Sequence, residues 1–313
     1  MSPRTAPRET TAAQVTAADV TAADVTATLR AQAPATIDVG HARLAHYKFG
    51  AGPDLVFVHG WPLHAATFRA IVPELARSFT CHLIDLPGAG RSSYTPATRF
   101  GIRAHADTLR RAVDALGLDR YGLVAHDSGA GMARYLMADD PRACGLVSGD
   151  TEIPGHTPWI VSLYQLALKI PGGVASTRML LGMGAVRRSP LGFAGCFTDP
   201  GFVDGDFTEW FVRPLLEDRA ALDGQMKLLV AIDPGEVREL ADVHRRIRVP
   251  VRLVWGTDDP IFPIAKARRM LSEFTAPVEL IEVPGGRAFL HEDHAPLFAQ
   301  HVREHLTKCL DGR

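Results

Sequence analysis

Apolar and polar positions alternate along most of the chain in two different periods. From about residue 35, short apolar runs bounded by turn residues are followed by longer runs with a helical apolar period. This alternation predicts a mostly parallel sheet with helices on both faces. The predicted strands cover 42–49, 55–58, 81–84, 122–125, 145–148, 251–255 and 278–283. The predicted helices cover 65–77, 102–116, 130–138, 264–274 and 296–306.

The alternation of strands and helices stops between residues 152 and 248. This segment has helical apolar runs at 160–170 and 215–232, and proline and glycine interrupt the chain between them. A helical segment inserted in a sheet domain is typical of a lid over the pocket. The sequence therefore predicts a core made of residues 35–151 and 249–313, with a cap made of residues 152–248.

The first 34 residues follow neither pattern. Residues 11–25 form a tandem five-residue repeat, with Thr-Ala-Ala in each unit followed by Gln-Val or Asp-Val. A period of five fits neither a helix nor a strand, so the repeat gives no single apolar face. We therefore expect residues 1–34 to form a disordered or loosely helical tail.

Composition narrows the function classes. The chain has 313 residues, of which 46% are hydrophobic and 22% charged, which is enough for one large core. Its net charge of −1 favours neither a nucleic acid nor an anionic membrane as a partner. The four cysteines are scattered without metal-ligand spacing, so we expect no metal, no cofactor and a reduced cytoplasmic protein. The expected partner is a small apolar molecule, and a homodimer is left open.

The segment 123–131 reads Leu-Val-Ala-His-Asp-Ser-Gly-Ala-Gly, and it joins a predicted strand to a predicted helix. In the sharp turn that exposes a nucleophile above a sheet, small residues are needed two positions before and after the nucleophile. Ala125 and Gly129 satisfy this spacing for Asp127, whereas a turn centred on Ser128 would place His126 in the crowded position. An aspartate nucleophile forms an alkyl ester, which indicates attack on an sp³ carbon.

A second motif, His59-Gly60-Trp61-Pro62, follows the predicted strand 55–58. The backbone N–H group of Trp61, together with that of Ser128, would form an oxyanion hole beside Asp127. The glycine-rich turn at 85–92 lacks the Gly-Lys-Ser/Thr of a phosphate loop, so we assign it a structural role.

These motifs, followed by Trp-Gly-Thr-Asp-Asp-Pro at 255–260, resemble in their order the α/β-hydrolase fold over residues 35–310. More narrowly, they resemble the branch with an aspartate nucleophile, which contains epoxide hydrolases and haloalkane and haloacetate dehalogenases. The resemblance implies that Asp127 displaces a leaving group from carbon. It also implies that a histidine, paired with an acid, activates the water that hydrolyses the ester.

The resemblance offers two candidates for the acid. Asp259 follows the predicted strand 251–255, in the place that most of the family uses, and we prefer it for that reason. Asp150 ends the predicted strand 145–148, which is the alternative place in some members with an aspartate nucleophile.

The histidine is where the chain departs from the family pattern. Aligning Phe289 and the following leucine with the family's Gly-His-aromatic-aliphatic motif places Ala288 on the catalytic histidine. His291 and His294 lie further on, where we expect them to begin the last helix and face solvent. Without the base, alkylation would proceed but hydrolysis of the ester would be impaired, through either an engineered or a natural change.

Among the leaving groups known for this branch, elimination favours an epoxide oxygen over a halide. Haloalkane dehalogenases commonly carry a tryptophan directly after the nucleophile, and haloacetate dehalogenases carry arginines there. In this chain, Ser128 and Gly131 occupy those places. Epoxide hydrolases use an acid in the lid, for which Tyr164 and His156 are candidates, with His244 as another lid histidine.

We therefore predict an epoxide hydrolase type of enzyme that acts on a small apolar substrate. Expected substrate contacts, besides the two candidate lid acids, are Trp159 in the cap and His59 and His126 beside the turn. The alternatives are a hydrolase like the haloalkane dehalogenases and a ligand-binding protein of this fold without turnover. A serine esterase using Ser128 is disfavoured by the spacing of the turn.

Overall fold

The computed structural model describes residues 20–30 and 34–311. Within them, one sheet has the strand order β1-β2-β4-β3-β6-β7-β8-β9, and β5 pairs with β2. Neighbours from β4 to β9 pair in parallel, whereas β1, β2 and β5 form the antiparallel end of the sheet. The strands are β1 Ala35–Asp38, β2 Ala42–Phe49, β3 Asp54–Val58, β4 Thr80–Ile84, β5 Ser93–Tyr94, β6 Tyr121–Ala125, β7 Ala143–Ser148, β8 Val251–Gly256 and β9 Val278–Val283.

The mostly parallel sheet predicted from the sequence is confirmed, and each of the seven predicted strands is present. The central strands are apolar on both faces: Leu55 and Phe57 of β3 pack in one hydrophobic cluster, and Val56 and Val58 pack in the other. Strands that are buried on both faces give continuous apolar runs, which is why the sequence pattern predicts them. The sequence pattern missed β1 and β5 because they are short and lie at the edge of the sheet.

The helices flank the sheet and fill the segment between β7 and β8. The predicted helix at 65–77 is instead a 3₁₀ turn at Ala65–Phe68 followed by one short helix, α2. Pro73 stands in the first turn of α2 and has no N–H group to continue an earlier helix. The helices are α1 Ala22–Arg30, α2 Val72–Leu75, α3 Ile102–Ala115, α4 Ser128–Asp139, α5 Trp159–Lys169, α6 Gly173–Gly182, α7 Gly184–Arg187, α8 Arg213–Glu217, α9 Arg219–Ala231, α10 Pro234–Arg246, α11 Ile264–Met270, α12 Leu290–Asp293 and α13 Ala295–Asp311.

Helices α5 to α10 lie within the segment predicted as a cap. A π-helical turn at Thr208–Val212 precedes α8. The cap meets the core closely where Gly224 of α9 lies against Gly88, since a Cβ atom on either glycine would fall within 3 Å of the other's backbone. The indole N–H of Trp61 in the core donates to the carbonyl oxygen of Gln225 in α9 (3.1 Å). These contacts hold the cap over the carboxyl ends of the parallel strands.

The described part of the N-terminal segment is more ordered than the sequence pattern predicted. Thr21 and Asp24 exchange side-chain to backbone hydrogen bonds (2.9 and 3.2 Å), which begin α1 as a capping box. Val25 and Leu29, one helical turn apart, are buried against the core. Leu29 lies beyond the five-residue repeat, so the apolar face did not appear in the repeat itself. The first 19 residues, with most of the repeat, lie outside the described residues.

Two properties of the described residues bear on possible partners. No helix among them is long and apolar enough to cross a membrane. No group of three or more histidine, cysteine or acidic side chains in this part of the chain has the geometry of a metal site.

Candidate active site

Asp127 lies at the turn between β6 and α4 in a strained backbone conformation. Its φ of 52° and ψ of −141° make it the one non-glycine residue with positive φ in the described chain. A Cβ atom on Gly129 would lie 2.4 Å from the carbonyl oxygens of Val58 and His59. A Cβ atom on Gly60 would lie 2.2 Å from Oδ2 of Asp127. The turn therefore requires glycine at both places, of which the spacing around Asp127 indicated Gly129.

The carboxylate of Asp127 is held by donors from two elements. The backbone N–H group of Trp61 donates to Oδ2 of Asp127 (2.8 Å) and lies 3.1 Å from Oγ of Ser128. The hydroxyl group of Ser128 also donates to Oδ2 (3.2 Å). Ser128 opens α4, and the first N–H groups of a helix have no partner within it. These donors can stabilise negative charge at the position where the predicted oxyanion hole lies.

A cavity of about 470 Å³ opens above Asp127 between the core and the cap. Aromatic and aliphatic side chains form most of its walls, which suits a small apolar ligand. Trp159 and Tyr164 of α5 and His126 line it, as the sequence predicted for substrate contacts. The other lining residues are Trp61, Asp127, Ile160, Val161, Arg188, Ser189, Pro190, Gly192, Phe193, Ala194, Gly195, Cys196, Pro200, Pro260, Ile261, Phe262, Ala288 and Phe289.

Asp150 and Asp259, the two candidate acids, lie side by side in the interior. Oδ1 of Asp150 accepts from the N–H group of Gly256 (3.0 Å), and Oδ1 of Asp259 accepts from the N–H groups of Ile261 and Phe262 (2.6 and 3.0 Å). The two carboxyl groups hydrogen-bond to each other, and Oδ2 of each has no other partner. Burial raises the pKa of Asp259 to about 6, and burial together with the neighbouring charge of Asp259 raises the pKa of Asp150 well above its usual value.

Ala288 is buried in the loop between β9 and α12 and lines the cavity. Its carbonyl oxygen accepts a hydrogen bond from Nε2 of His126 (2.6 Å). This bond leaves Nδ1 of His126 as the acceptor, and that atom is buried without a partner. Burial lowers the pKa of His126, so its imidazole is neutral. Since Nδ1 is not accessible to water, His126 does not replace a base at position 288.

The two later histidines do not both face solvent as the sequence predicted. His291 lies in α12 and is fully buried, with Nε2 2.6 Å from Oγ1 of Thr67. Its ring packs 4.2 Å from the ring of His126, measured between centroids. His294 caps α12 and is partly buried, with Nε2 3.5 Å from Oγ1 of Thr198. The expectation for His291 was wrong because α12 packs into the interior. Neither residue lines the cavity.

His59 does not reach the cavity, although the sequence pattern suggested a substrate contact. Its Nδ1 donates to the carbonyl oxygen of Gly60 (3.0 Å), and its Nε2 accepts from the N–H group of Leu86 (3.0 Å). Burial lowers the pKa of His59 to about 3. His59 therefore joins two loops as a neutral, buried structural residue.

Neither candidate lid acid has a proton free for a substrate. The hydroxyl group of Tyr164 donates to the carbonyl oxygen of Leu191. Nε2 of His156 donates to the carbonyl oxygen of Ile261 (2.9 Å), and Nδ1 accepts from Nζ of Lys266 (2.8 Å). His156 lines a small chamber beside the main cavity rather than the cavity itself. His244, the other lid histidine, is buried against Arg134.

Two buried residues near Asp127 were not predicted from the sequence. The carbonyl oxygen of Cys196, in the cap, accepts a hydrogen bond from the N–H group of Phe289 (3.2 Å). Burial and the charges of Asp259 and Asp127 raise the pKa of the Cys196 thiol. Glu152, within the segment Asp-Thr-Glu-Ile-Pro at 150–154, is also buried. A carboxylate four residues after the end of the predicted strand 145–148 was a signal for Glu152, whereas the sequence held no signal for Cys196.

Comparison with known proteins agrees with this architecture. The model of the α/β hydrolase fold family matches residues 53–177. The chain is similar to a soluble epoxide hydrolase of Corynebacterium sp. (strain C12), with 38% identity over 98 residues that cover 31% of this chain and 34% of that enzyme. It is also similar to a pimeloyl-acyl-carrier-protein methyl ester esterase of Chromobacterium violaceum, with 28% identity over 272 residues, 82% of this chain and 95% of the esterase. The solved epoxide hydrolase CorEH matches with a TM-score of 0.74 and 21% identity, over 87% of this chain and 97% of CorEH.

The fold and these matches define a class of protein. The chain has the α/β-hydrolase fold. The chain spans about a third of the length of the Corynebacterium epoxide hydrolase. The two relatives are named for different reactions, one as an epoxide hydrolase and the other as an esterase. The reaction of this chain therefore depends on its own site rather than on the fold.

Proposed function

We propose that this hydrolase attacks an sp³ carbon of a small apolar epoxide through Asp127 and forms an alkyl-enzyme ester. The observation that carries the proposal is the strained turn that presents the Asp127 carboxylate, with the N–H group of Trp61 2.8 Å from Oδ2, in an apolar cavity. In this role, an ionised carboxylate is a competent nucleophile without a general base.

Hydrolysis of the ester needs a base, and Ala288 occupies the position at which the resemblance expects the histidine. Losing a general base costs about 10²–10⁴ in rate. We propose that the ester therefore accumulates on Asp127 and that turnover is slow. Asp150 and Asp259, whose Oδ2 atoms have no partner other than the neighbouring carboxyl group, support this interpretation because a histidine between such an acid and Asp127 would pair with one of them.

A halide leaving group is less well supported than an epoxide. Halide-binding sites of this fold use free indole or amide N–H groups beside the nucleophile. The indole N–H group of Trp61 is occupied by the carbonyl oxygen of Gln225 (3.1 Å), and the residue after Asp127 is a serine. A serine esterase would need Ser128 at the strained position, which Asp127 occupies.

The second candidate function is reversible binding of an apolar ligand without reaction. Ala288 and the apolar walls of the cavity favour it. In that case the cavity would select ligands by shape, and Asp127 would remain unmodified.

Incubation with styrene oxide followed by intact-mass measurement tests the proposal. We expect one adduct per chain, placed on Asp127 by peptide mapping, and no adduct in Asp127→Ala. Binding without a mass change would support the reversible binder instead. Acylation of Ser128 by an activated ester would contradict the assignment of Asp127 as the nucleophile.

A further inference from the structure

A small chamber of about 40 Å³ lies beside the main cavity and shares part of its lining with it. Asp127, Trp61 and Val161 border both spaces, so the two are neighbours at the nucleophile. Glu152 also lines the chamber and is 6% exposed. A chamber of this volume accommodates an oxygen-sized group of a bound ligand or a water molecule.

Glu152 is connected to the turn at Asp127 through Thr151. Oγ1 of Thr151 lies 2.9 Å from Oε2 of Glu152 and 2.9 Å from the carbonyl oxygen of Asp127. Nη2 of the buried Arg134 in α4 donates to the same Oγ1 (2.8 Å). A hydroxyl group has one proton but accepts as well as donates. Thr151 therefore accepts from a protonated Glu152 and donates to an ionised one, so the contact survives in both protonation states.

The surroundings of Glu152 favour its protonated form. Burial, and then the negative charge of Asp127, raise the pKa of Glu152 to about 8, against the opposing effect of Arg134. His156 of the same chamber is neutral, and Val237 of α10 and Ile102 of α3 bring no charge. Glu152 therefore carries a proton at neutral pH.

We propose that Glu152 is the catalytic acid that protonates the ring oxygen when Asp127 opens an epoxide. This inference rests on the proposed function and identifies the substrate class at the same site. As an oxygen of Asp127 forms the new bond to carbon, the ring C–O bond breaks and its electron pair goes to the ring oxygen. That oxygen takes the proton of Glu152 and becomes a hydroxyl group. The products are a hydroxyalkyl ester on Asp127 and a carboxylate on Glu152.

The charge change at Asp127 assists this proton transfer. Before the reaction, the negative charge of Asp127 opposes ionisation of Glu152. Ester formation removes that charge at the moment at which Glu152 becomes negative, so the site keeps one negative charge throughout. Tyr164 and His156 donate their protons to backbone carbonyl oxygens, which can only accept. The partner of Glu152 is a hydroxyl group, which can turn from acceptor to donor when Glu152 gives its proton to the ring oxygen.

The proposal separates epoxides from halides, because a departing halide needs no proton. We would measure the rate of adduct formation on Asp127 with styrene oxide and with butyl bromide, in the parent and in Glu152→Gln. The amide keeps the size of the side chain and cannot act as the acid. We expect the rate with styrene oxide to fall by roughly 10²–10⁴-fold, while the rate with butyl bromide stays near that of the parent.

The parent alone supplies a second readout that does not depend on how a variant folds. Its rate with styrene oxide should fall as the pH rises through about 8, where Glu152 loses its proton, and its rate with butyl bromide should lack this fall. Glu273→Gln is the matched control, since Glu273 contacts His244 next to Arg134 but lies outside the chamber. It should leave both rates unchanged.

Each outcome decides the proposal. Slowing with styrene oxide alone supports Glu152 as the acid. Equal slowing with both reagents, or no slowing with either, overturns it. An adduct on Asp127 from butyl bromide but none from styrene oxide would overturn the role of Glu152 and leave the aspartate nucleophile intact. No adduct from either reagent in the parent would overturn the proposed function and this inference together.

Discussion

The turn around Asp127 and the interior around Ala288 border the same cavity, but they differ in how completely their polar atoms are paired. At the turn, Oδ2 of Asp127 accepts from the backbone N–H group of Trp61 and from the hydroxyl group of Ser128. The backbone N–H group of Asp127 donates to the carbonyl oxygen of Asp150 (2.8 Å). In the other region, four buried atoms have no partner apart from the contact between two carboxyl groups. They are Oδ2 of Asp150, Oδ2 of Asp259, Nδ1 of His126 and Nδ1 of His291.

This difference suggests that alkylation of Asp127 and hydrolysis of the resulting ester depend on different groups of residues. Buried polar atoms are normally hydrogen-bonded, and an unpaired one costs about 1–3 kcal/mol. The machinery proposed for alkylation is complete, whereas the region proposed for ester hydrolysis retains its acids and lacks an imidazole at position 288. Substitutions in each region can test whether the two are in fact independent.

The largest expected effect comes from Ala288→His. The new imidazole would lie between an interior acid and the ester on Asp127, and it would take a proton from the attacking water. We expect steady release of diol, faster than the parent by roughly 10²–10⁴-fold, after a single burst in the parent. The rate should fall as the pH drops through the pKa of histidine, about 6.5, because only the neutral imidazole acts as the base.

Multiple rapid turnovers by the parent would show that ester hydrolysis does not need a histidine at position 288. His291→Ala and His294→Ala would then identify a substitute base. Because neither residue lines the cavity, we expect both variants to behave as the parent does.

The next largest effect is expected from removing the acid in the Ala288→His background. Asp259→Asn should reduce turnover by about 10²-fold or more, since an orienting carboxylate fixes and stabilises the imidazolium. Asp150→Asn should cost less, because burial and the charge of Asp259 keep Asp150 protonated. Steady-state rates of the two double variants make the comparison. A larger loss from Asp150→Asn would assign the role to Asp150 instead.

Gly129→Ala should damage the turn and leave the interior acids in place. Its Cβ atom would lie 2.4 Å from two backbone carbonyl oxygens, which cannot move as a flexible side chain can. We expect a loss of about 1–3 kcal/mol in the free energy of unfolding, with slower adduct formation on Asp127. Gly182→Ala is the control, because its Cβ atom would meet its nearest neighbours at 3.9 Å. Equal denaturation midpoints for the two variants would contradict a tightly packed turn.

The smallest expected effect is a gain in stability from Asp150→Asn. The Oδ1 atom of the amide keeps the bond to Gly256, and an amide N–H group can replace the carboxyl group that hydrogen-bonds to Asp259, without an ionisable group that burial penalises. We expect a gain of about 1–2 kcal/mol at neutral pH, measured by denaturant unfolding.

The gain in stability from Asp150→Asn should depend on pH. The raised pKa values mean that the folded parent binds protons more tightly than the unfolded chain, so these acids lower its stability as the pH rises from about 4 through about 6. The advantage of Asp150→Asn should therefore grow over that range. Asp258→Asn, at an exposed neighbouring position, should show no such growth. A constant or shrinking advantage would mean that the pair is not destabilising.

The elements that could be predicted from the sequence were those with local causes. Continuous apolar runs marked the buried strands, such as β3, and the spacing of Ala125 and Gly129 was enough to identify the strained position of Asp127. The prediction of one helix at 65–77 was wrong for a local reason too, since Pro73 interrupts it.

The elements that could not be predicted depend on contacts between distant parts of the chain. His291 was expected to face solvent because it was placed at the start of the last helix, yet Thr67, more than 200 residues earlier, bonds to it in the interior. His59 looked like a substrate contact because it adjoins the turn, and only the contact with Leu86 shows that both of its nitrogens are occupied.

The sequence by itself determined the parallel sheet, the inserted helical segment, the strained turn at Asp127 and the alanine at position 288, because each follows from spacing along one short stretch. Only the tertiary structure decided that Asp150 and Asp259 lie side by side, that Tyr164 and His156 have no free proton, and that Glu152 shares a chamber with Asp127. Charge and hydrogen bonding in the interior depend on which residues meet across the fold, and spacing along the chain carries no record of that.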